Sequence, residues 1–191
     1  MSFRRLVLAL PLLSLLPTAV QAGEEEAALK IQAGALVKEY GGTLLAVLKD
    51  SVEKSGPVAA LTVCNERGPA IAQEMATKSG WNIGRTSMKP RNASSAPTPY
   101  ETGVMAAFEA RLAAGESVET LVRAETVPGA DGKPVFHFIK AIPTGELCLT
   151  CHGETAAPEI TRRLSELYPK DTATGFKLGQ MRGVFTLSKA M

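Results

Sequence analysis

Cys148, Cys151 and His152 stand in one run, Cys148-Leu149-Thr150-Cys151-His152. Two thiols three positions apart on a helical turn can each add to one vinyl group of the same porphyrin. The next residue then offers its imidazole to the metal in the ring. This is the C-x-x-C-H signature of covalent c-type haem attachment, and it predicts one covalently bound haem c. Other chemistries use parts of the pattern. A thioredoxin-like redox pair also has C-x-x-C, but it opens a helix inside a βαβ rhythm that is missing here. Structural zinc needs four protein ligands, and the whole chain holds three cysteines and two histidines. A disulfide between the two motif thiols is an uncommon structural device.

The second axial ligand has several candidates: Cys64, His137, Met75, Met88, Met105 and Met181. Met, His and thiolate all serve as haem ligands. Each Met also suits gap-filling in a core, and His137 shares a strand face with Val135 and Ile139. Cys64 is the thiol left over once the motif has used two, so it is either a buried inert cysteine, one half of an intermolecular disulfide, or a thiolate ligand.

An export signal gives that odd thiol its context. Arg4-Arg5 precede an apolar stretch from Leu6 to Leu16, and Val20-Gln21-Ala22 offers a small-residue cleavage site. The stretch is too short for a membrane span, which needs about 20 residues. The expectation is removal of residues 1–22 after Ala22 and a periplasmic product with no transmembrane segment. Lysines and arginines number 21 against 19 acidic residues, and without Arg4 and Arg5 the two signs balance. A nucleic-acid binder would carry a basic stripe, so nucleic acid is excluded as a partner.

The elements that must position the motif follow from periodicity and punctuation. Leu29, Ala33, Leu36, Tyr40, Leu44 and Leu48 mark one stripe of a helix over 24–54. Gly41-Gly42 predicts a kink or break there. Gly56-Pro57 opens a second helix, expected to stop near Cys64 because Gly68-Pro69 follows, with Pro69 starting another helix to about Lys78. Trp81 to Ser87 reads as a short strand and Tyr100 to Ala114 as a helix. Thr120 to Val127 and Pro134 to Ile142 read as strands paired across a Pro/Gly-rich turn. Pro158 to Leu167 is a helix, and Gly183 to Ser188 a final strand. The order predicts an α+β fold: a small antiparallel sheet flanked by helices, with an N-terminal helical segment. After the signal, 23–191 form a single domain.

Four separated blocks carry a wider likeness. They are Val63-Cys64 with Gly68-Pro69-Ala70-Ile71-Ala72; Gly84-Arg85-Thr86-Ser87-Met88-Lys89 with Arg91-Asn92; the motif with Gly153; and Tyr168-Pro169-Lys170-Asp171 with Ala173-Thr174-Gly175, Gly179, Arg182 and Gly183. Over about Ala59 to Ser188 the chain resembles the periplasmic c-type haem domain family with a PAS-like fold, formerly a domain of unknown function. The resemblance implies a haem iron held by His152 and by the thiolate of Cys64. The chain departs from it at Arg91-Asn92-Ala93-Ser94-Ser95, where members often have Arg-Asn-Pro-x-Asn. Arg85, Lys89 and Arg91 form the one cationic cluster, either a solvated loop or partners for the two haem propionates.

Thiolate ligation would cancel the net charge of ferric haem and hold the potential below that of a Met/His cytochrome. The expected function is low-potential electron transfer with a separate redox partner. The alternative is a redox- or gas-responsive haem module that works through a partner protein. A peroxidase-like enzyme ranks last, since it needs an open iron site and a distal acid or base.

Overall fold

Leu29, Ala33, Val37 and Tyr40 recur at helical spacing, and each is buried. Burial of that stripe holds the first helix. The computed structural model describes residues 19–191, and the expected export segment lies outside them apart from its last four residues. Helix α1 spans Ala19–Ser79 in two arms divided at Gly56, whose φ of 79° and ψ of 168° leave the helical region. Glycine takes that positive φ without strain, and Pro57 starts the second arm with its φ already set.

Two expectations need correction. Gly41-Gly42 does not break α1. Gly41 serves close approach instead, because a Cβ there would meet the Phe185 ring at 3.0 Å. Nor does the second arm stop near Cys64; it continues through Gly68-Pro69 to Ser79. Pro69 has no N–H to give the carbonyl of Asn65. Packing of Ile71 and Met75 in one cluster with Tyr40 offsets that loss. Cys64 therefore sits inside an arm rather than at its end.

The sheet contains β1 (Asn82–Thr86), β2 (Val122–Pro128), β3 (Pro134–Pro143) and β4 (Met181–Ala190). Its order is β1-β4-β3-β2, with every pair antiparallel. Alternation along β3 splits its side chains between two cores. Phe136 and Phe138 meet Leu29, Ala33, Val37 and Trp81 on the α1 side. Ile139 and Ala141 meet Val104, Met105 and Phe108 of α2 (Pro99–Ala113) on the other. Thr98 and Glu101 cap α2 reciprocally. Two short helices follow β3: α3 (Glu146–His152) and α4 (Pro158–Leu167). Ile160 and Leu164 dock α4 on Leu61 of α1. This is the expected α+β, PAS-like arrangement. Among the described residues, no helix is long and apolar enough to cross a membrane.

Candidate functional site

The motif lies on α3, a short helix whose first cap has no side-chain bond. What holds it in place is the chain that leads into β4. Gly175 donates to the carbonyl of Gly153 at 2.9 Å, and Phe176 donates to that of His152 at 2.9 Å. The helix ends in a tight turn that tolerates no side chain, because a Cβ on Gly153 would lie 2.6 Å from the Leu149 carbonyl. Beside it, Leu149, Phe176 and Leu178 help to line a cleft of about 320 Å³.

His152 is the most constrained side chain of the group. Its Nδ1 lies 2.8 Å from the carbonyl of Ala173. A carbonyl only accepts, so Nδ1 carries the proton and Nε2 keeps its lone pair. Burial, then the charges of Arg182 and Arg91, push its pKa down to about 2. The ring is thus a neutral donor of one lone pair. It packs edge-on to Phe176, with ring centres 6.2 Å apart.

Arg91 ties the loops together. Its Nε donates to Asp171 Oδ2 at 3.0 Å, and its Nη2 donates to the carbonyls of Cys151 at 2.5 Å and Ala173 at 3.2 Å. Nη1 lies 3.5 Å from His152 Nε2. Arg91 and Asp171 are only 12% and 10% exposed, so this is a buried pair rather than the solvated loop charge of the simpler reading. Lys89 Nζ donates to the Thr174 carbonyl at 3.0 Å. Arg85 lies over the Tyr40 ring, 5.8 Å from its centre, and none of the described residues pairs with its guanidinium.

Cys64 joins this group from α1. Burial raises its thiol pKa, while the charges of Arg85 and Arg91 draw it down. Cys151 is raised first by burial, lowered by Arg91, and raised further by Cys64 and Cys148. All three cysteines are free and half-buried. Among the described residues, no three His, Cys, Asp or Glu side chains form a group able to hold a metal ion, so a four-ligand zinc site is not built.

The other axial candidates lie in different surroundings. Met75 packs in the cluster of Tyr40 and Ile71, Met105 and Met181 in the α2-side core, while Met88 is exposed. His137 lies against Tyr100 with ring centres 4.7 Å apart and planes tilted by 53°, opposite Glu125 in the β2–β3 ladder.

Three residues near the motif escaped the sequence reading as site residues: Arg182, Phe176 and Tyr168. Arg182 lies over Phe176 at 5.0 Å, and its buried Nε has no partner. Burial first, then Arg91 and Arg85, lower its pKa to about 10. Tyr168 has its pKa raised by burial and then by Cys64. Arg182 and Tyr168 already stand in the last of the four sequence blocks, which was the available signal for them.

The chain belongs to the Tll0287-like family, whose model matches residues 18–189. A solved structure, that of the cyanobacterial heme-protein Tll0287, shares the fold. It superposes with a TM-score of 0.61 at 22% identity, over 91% of this chain and 97% of that one. No curated protein gives a significant match.

Proposed function

We propose that this chain is an exported, periplasmic monohaem c-type protein serving low-potential electron transfer. Cys148 and Cys151 would hold the haem through two thioether links, and His152 and the thiolate of Cys64 would ligate its iron. The carrying observation is the His152–Ala173 bond, which fixes the tautomer and leaves Nε2 as a lone-pair donor beside two free thiols. Such a second partner to a ligating imidazole is the usual means of orienting it. A bound haem supplies one-electron exchange between ferric and ferrous iron.

The surrounding charges fit that group. Arg85, Arg91 and Arg182 act on His152 together, and Asp171 alone answers them at close range. The unpartnered Nε of Arg182 lacks an acceptor, and the two carboxylates of a haem would supply one. Arg91 has most of its donors committed to Asp171 and to two carbonyls, so its main role is to hold the loops beneath the motif. Arg85 and Arg182 are left as the stronger propionate partners, with Lys89 beside them. A metal held by Nε2 would take the place of its long contact with Arg91.

Cys64 sets the potential. A thiolate favours the ferric state, and each 1.4 kcal/mol of that preference is about 59 mV for one electron. The test is to produce the chain in a host able to attach haem. The product should gain the mass of one haem, resist its acid extraction, and give the low-spin thiolate/imidazole electron paramagnetic resonance spectrum when oxidised. A colourless product of bare-protein mass defeats the proposal. Cys64→Ala should leave haem attached and raise the midpoint; an unchanged spectrum and midpoint would exclude Cys64.

A second reading, a redox- or gas-responsive module acting on a partner protein, draws on the placement of Cys64 beyond the Gly56 kink. Releasing the thiolate would untie the second arm of α1 from the haem. Carbon monoxide binding on reduction, with a change in protease cutting near Gly56, favours that reading over simple electron transfer.

A further inference from the structure

The two motif thiols are poorly placed to bridge each other in the folded chain. Residues three apart on a helix have Cβ atoms about 5–6 Å apart, whereas a disulfide needs about 3.5–4.5 Å. Closing Cys148 on Cys151 would unwind α3. The two also face different ways. The sulfur of Cys148 turns back along α3, within 4.0 Å of where a Cβ on Gly145 would stand. Cys151 instead packs with Val58, Leu61, Ile160 and Leu164. Leu61 lies one turn before Cys64 on the same face of α1, and Tyr168 belongs to the Cys151 cluster while also sensing Cys64. Cys151 thus packs on the cluster that includes Leu61, one turn before Cys64, and Cys148 is not among its members.

We infer that, before haem attachment, the folded chain forms a reversible Cys64–Cys151 disulfide that blocks maturation of the site. The bridge follows from the thiol placement alone; its consequence for maturation rests on the haem reading. The oxidant is a disulfide, either oxidised glutathione or the active-site disulfide of a thiol–disulfide oxidoreductase. One protein thiolate attacks it to give a mixed disulfide and release one thiol. The second protein thiolate displaces the other, and the S–S bond closes. In total, two protein thiols lose two electrons and two protons, and the co-reactant disulfide becomes two thiols. A bridged Cys151 has no thiol to add to a vinyl group, and a bridged Cys64 has no thiolate for iron. Cys148 remains free.

The test uses the full chain produced without attachment machinery, equilibrated with oxidised glutathione, alkylated, and cut with trypsin without reductant. Trypsin leaves Cys64 in peptide 55–67 and both motif cysteines in 141–162. The expected main oxidised product is a cross-link of those two peptides carrying alkylated Cys148. It should persist in Cys148→Ser and vanish in Cys151→Ser. A loop closed within 141–162, or glutathione adducts without a cross-link, overturns the bridge. The oxidised chain should then take up no haem until reductant is added. Equal uptake by oxidised and reduced wild type overturns the block. A reduced chain that never takes up haem sinks the haem reading and the block together, and leaves the bridge standing.

Discussion

The chain has two histidines, and burial lowers the pKa of both, yet their surroundings are opposite in charge. His152 sits among Arg91, Arg182 and Arg85, which push further against protonation. His137 faces Glu125 across the ladder, with Glu101 and Tyr100 beside it, and those carboxylates pull its pKa back up. Cationic surroundings keep an imidazole neutral and its lone pair available, as metal ligation requires. Anionic surroundings offset part of what burial costs the protonated ring. Residue type does not separate these roles, since the elements brought against each ring decide them.

The sharpest way to break this comparison is to exchange the two histidines for alanine in the haem-loaded protein. His152→Ala should abolish the six-coordinate low-spin spectrum, whereas His137→Ala should leave the Soret band where it was. A matching loss in both would place His137 at the iron and end the contrast.

The arginines give the next largest effect. Arg91→Ala leaves Asp171 buried without a partner and should cost about 3–5 kcal/mol in denaturant unfolding. Arg123→Ala, at the exposed Arg123–Glu125 pair, should leave stability almost unchanged. Equal midpoints for the two variants would mean that the Arg91 fork does not hold the loops.

Acid titration sharpens the His137 side. Its folded pKa lies below the ordinary 6.5 because burial outweighs the pull of Glu101 and Glu125. The unfolded chain therefore binds the proton more readily, and stability present above pH 6.5 is lost as pH falls below it. The Glu125 pKa is lowered, first by its bond from Arg123, so its contribution persists above its ordinary 4.5 and fails only further down. In unfolding midpoints measured against pH, His137→Gln should reduce but not remove the upper part of the loss, since His152 is also held neutral over that range. Glu125→Gln should flatten the lower part. An upper slope unchanged by His137→Gln would assign that loss to another group.

The smallest effect tests backbone roles. Gly103, in the exposed middle of α2, has nothing within 4 Å of an added Cβ, so Gly103→Ala should stabilise by about 0.5–1 kcal/mol. Gly153→Ala should destabilise α3, because its Cβ would strike the Leu149 carbonyl.

Much of this was readable in advance where local chemistry decides the outcome. Pro158 and Pro169 bracket α4, and the turn before Lys133 joins β2 to β3. The misreadings occurred where packing overrides local preference. Gly41-Gly42 looks like a break but makes room for Phe185, and Pro69 looks like a stop but is carried through by Ile71 and Met75. At the site, Cys64, Arg85, Lys89 and Arg91 were legible as candidates, but the partners of Arg91 were not. Two of them are backbone carbonyls, Cys151 and Ala173, which no residue pattern displays. Arg182 and Phe176 arrive through main-chain bonds that lace 175–176 to 152–153.

The strand order carries a consequence for timing. β4 lies between β1 and β3 although it follows every other element, and Asn82 meets Ser188 across a separation of 106 residues. A polypeptide threaded amino end first therefore has no place to dock β1 until its tail emerges, and pairings of such range assemble slowly. Until then β1 is left without the strand that completes its ladder.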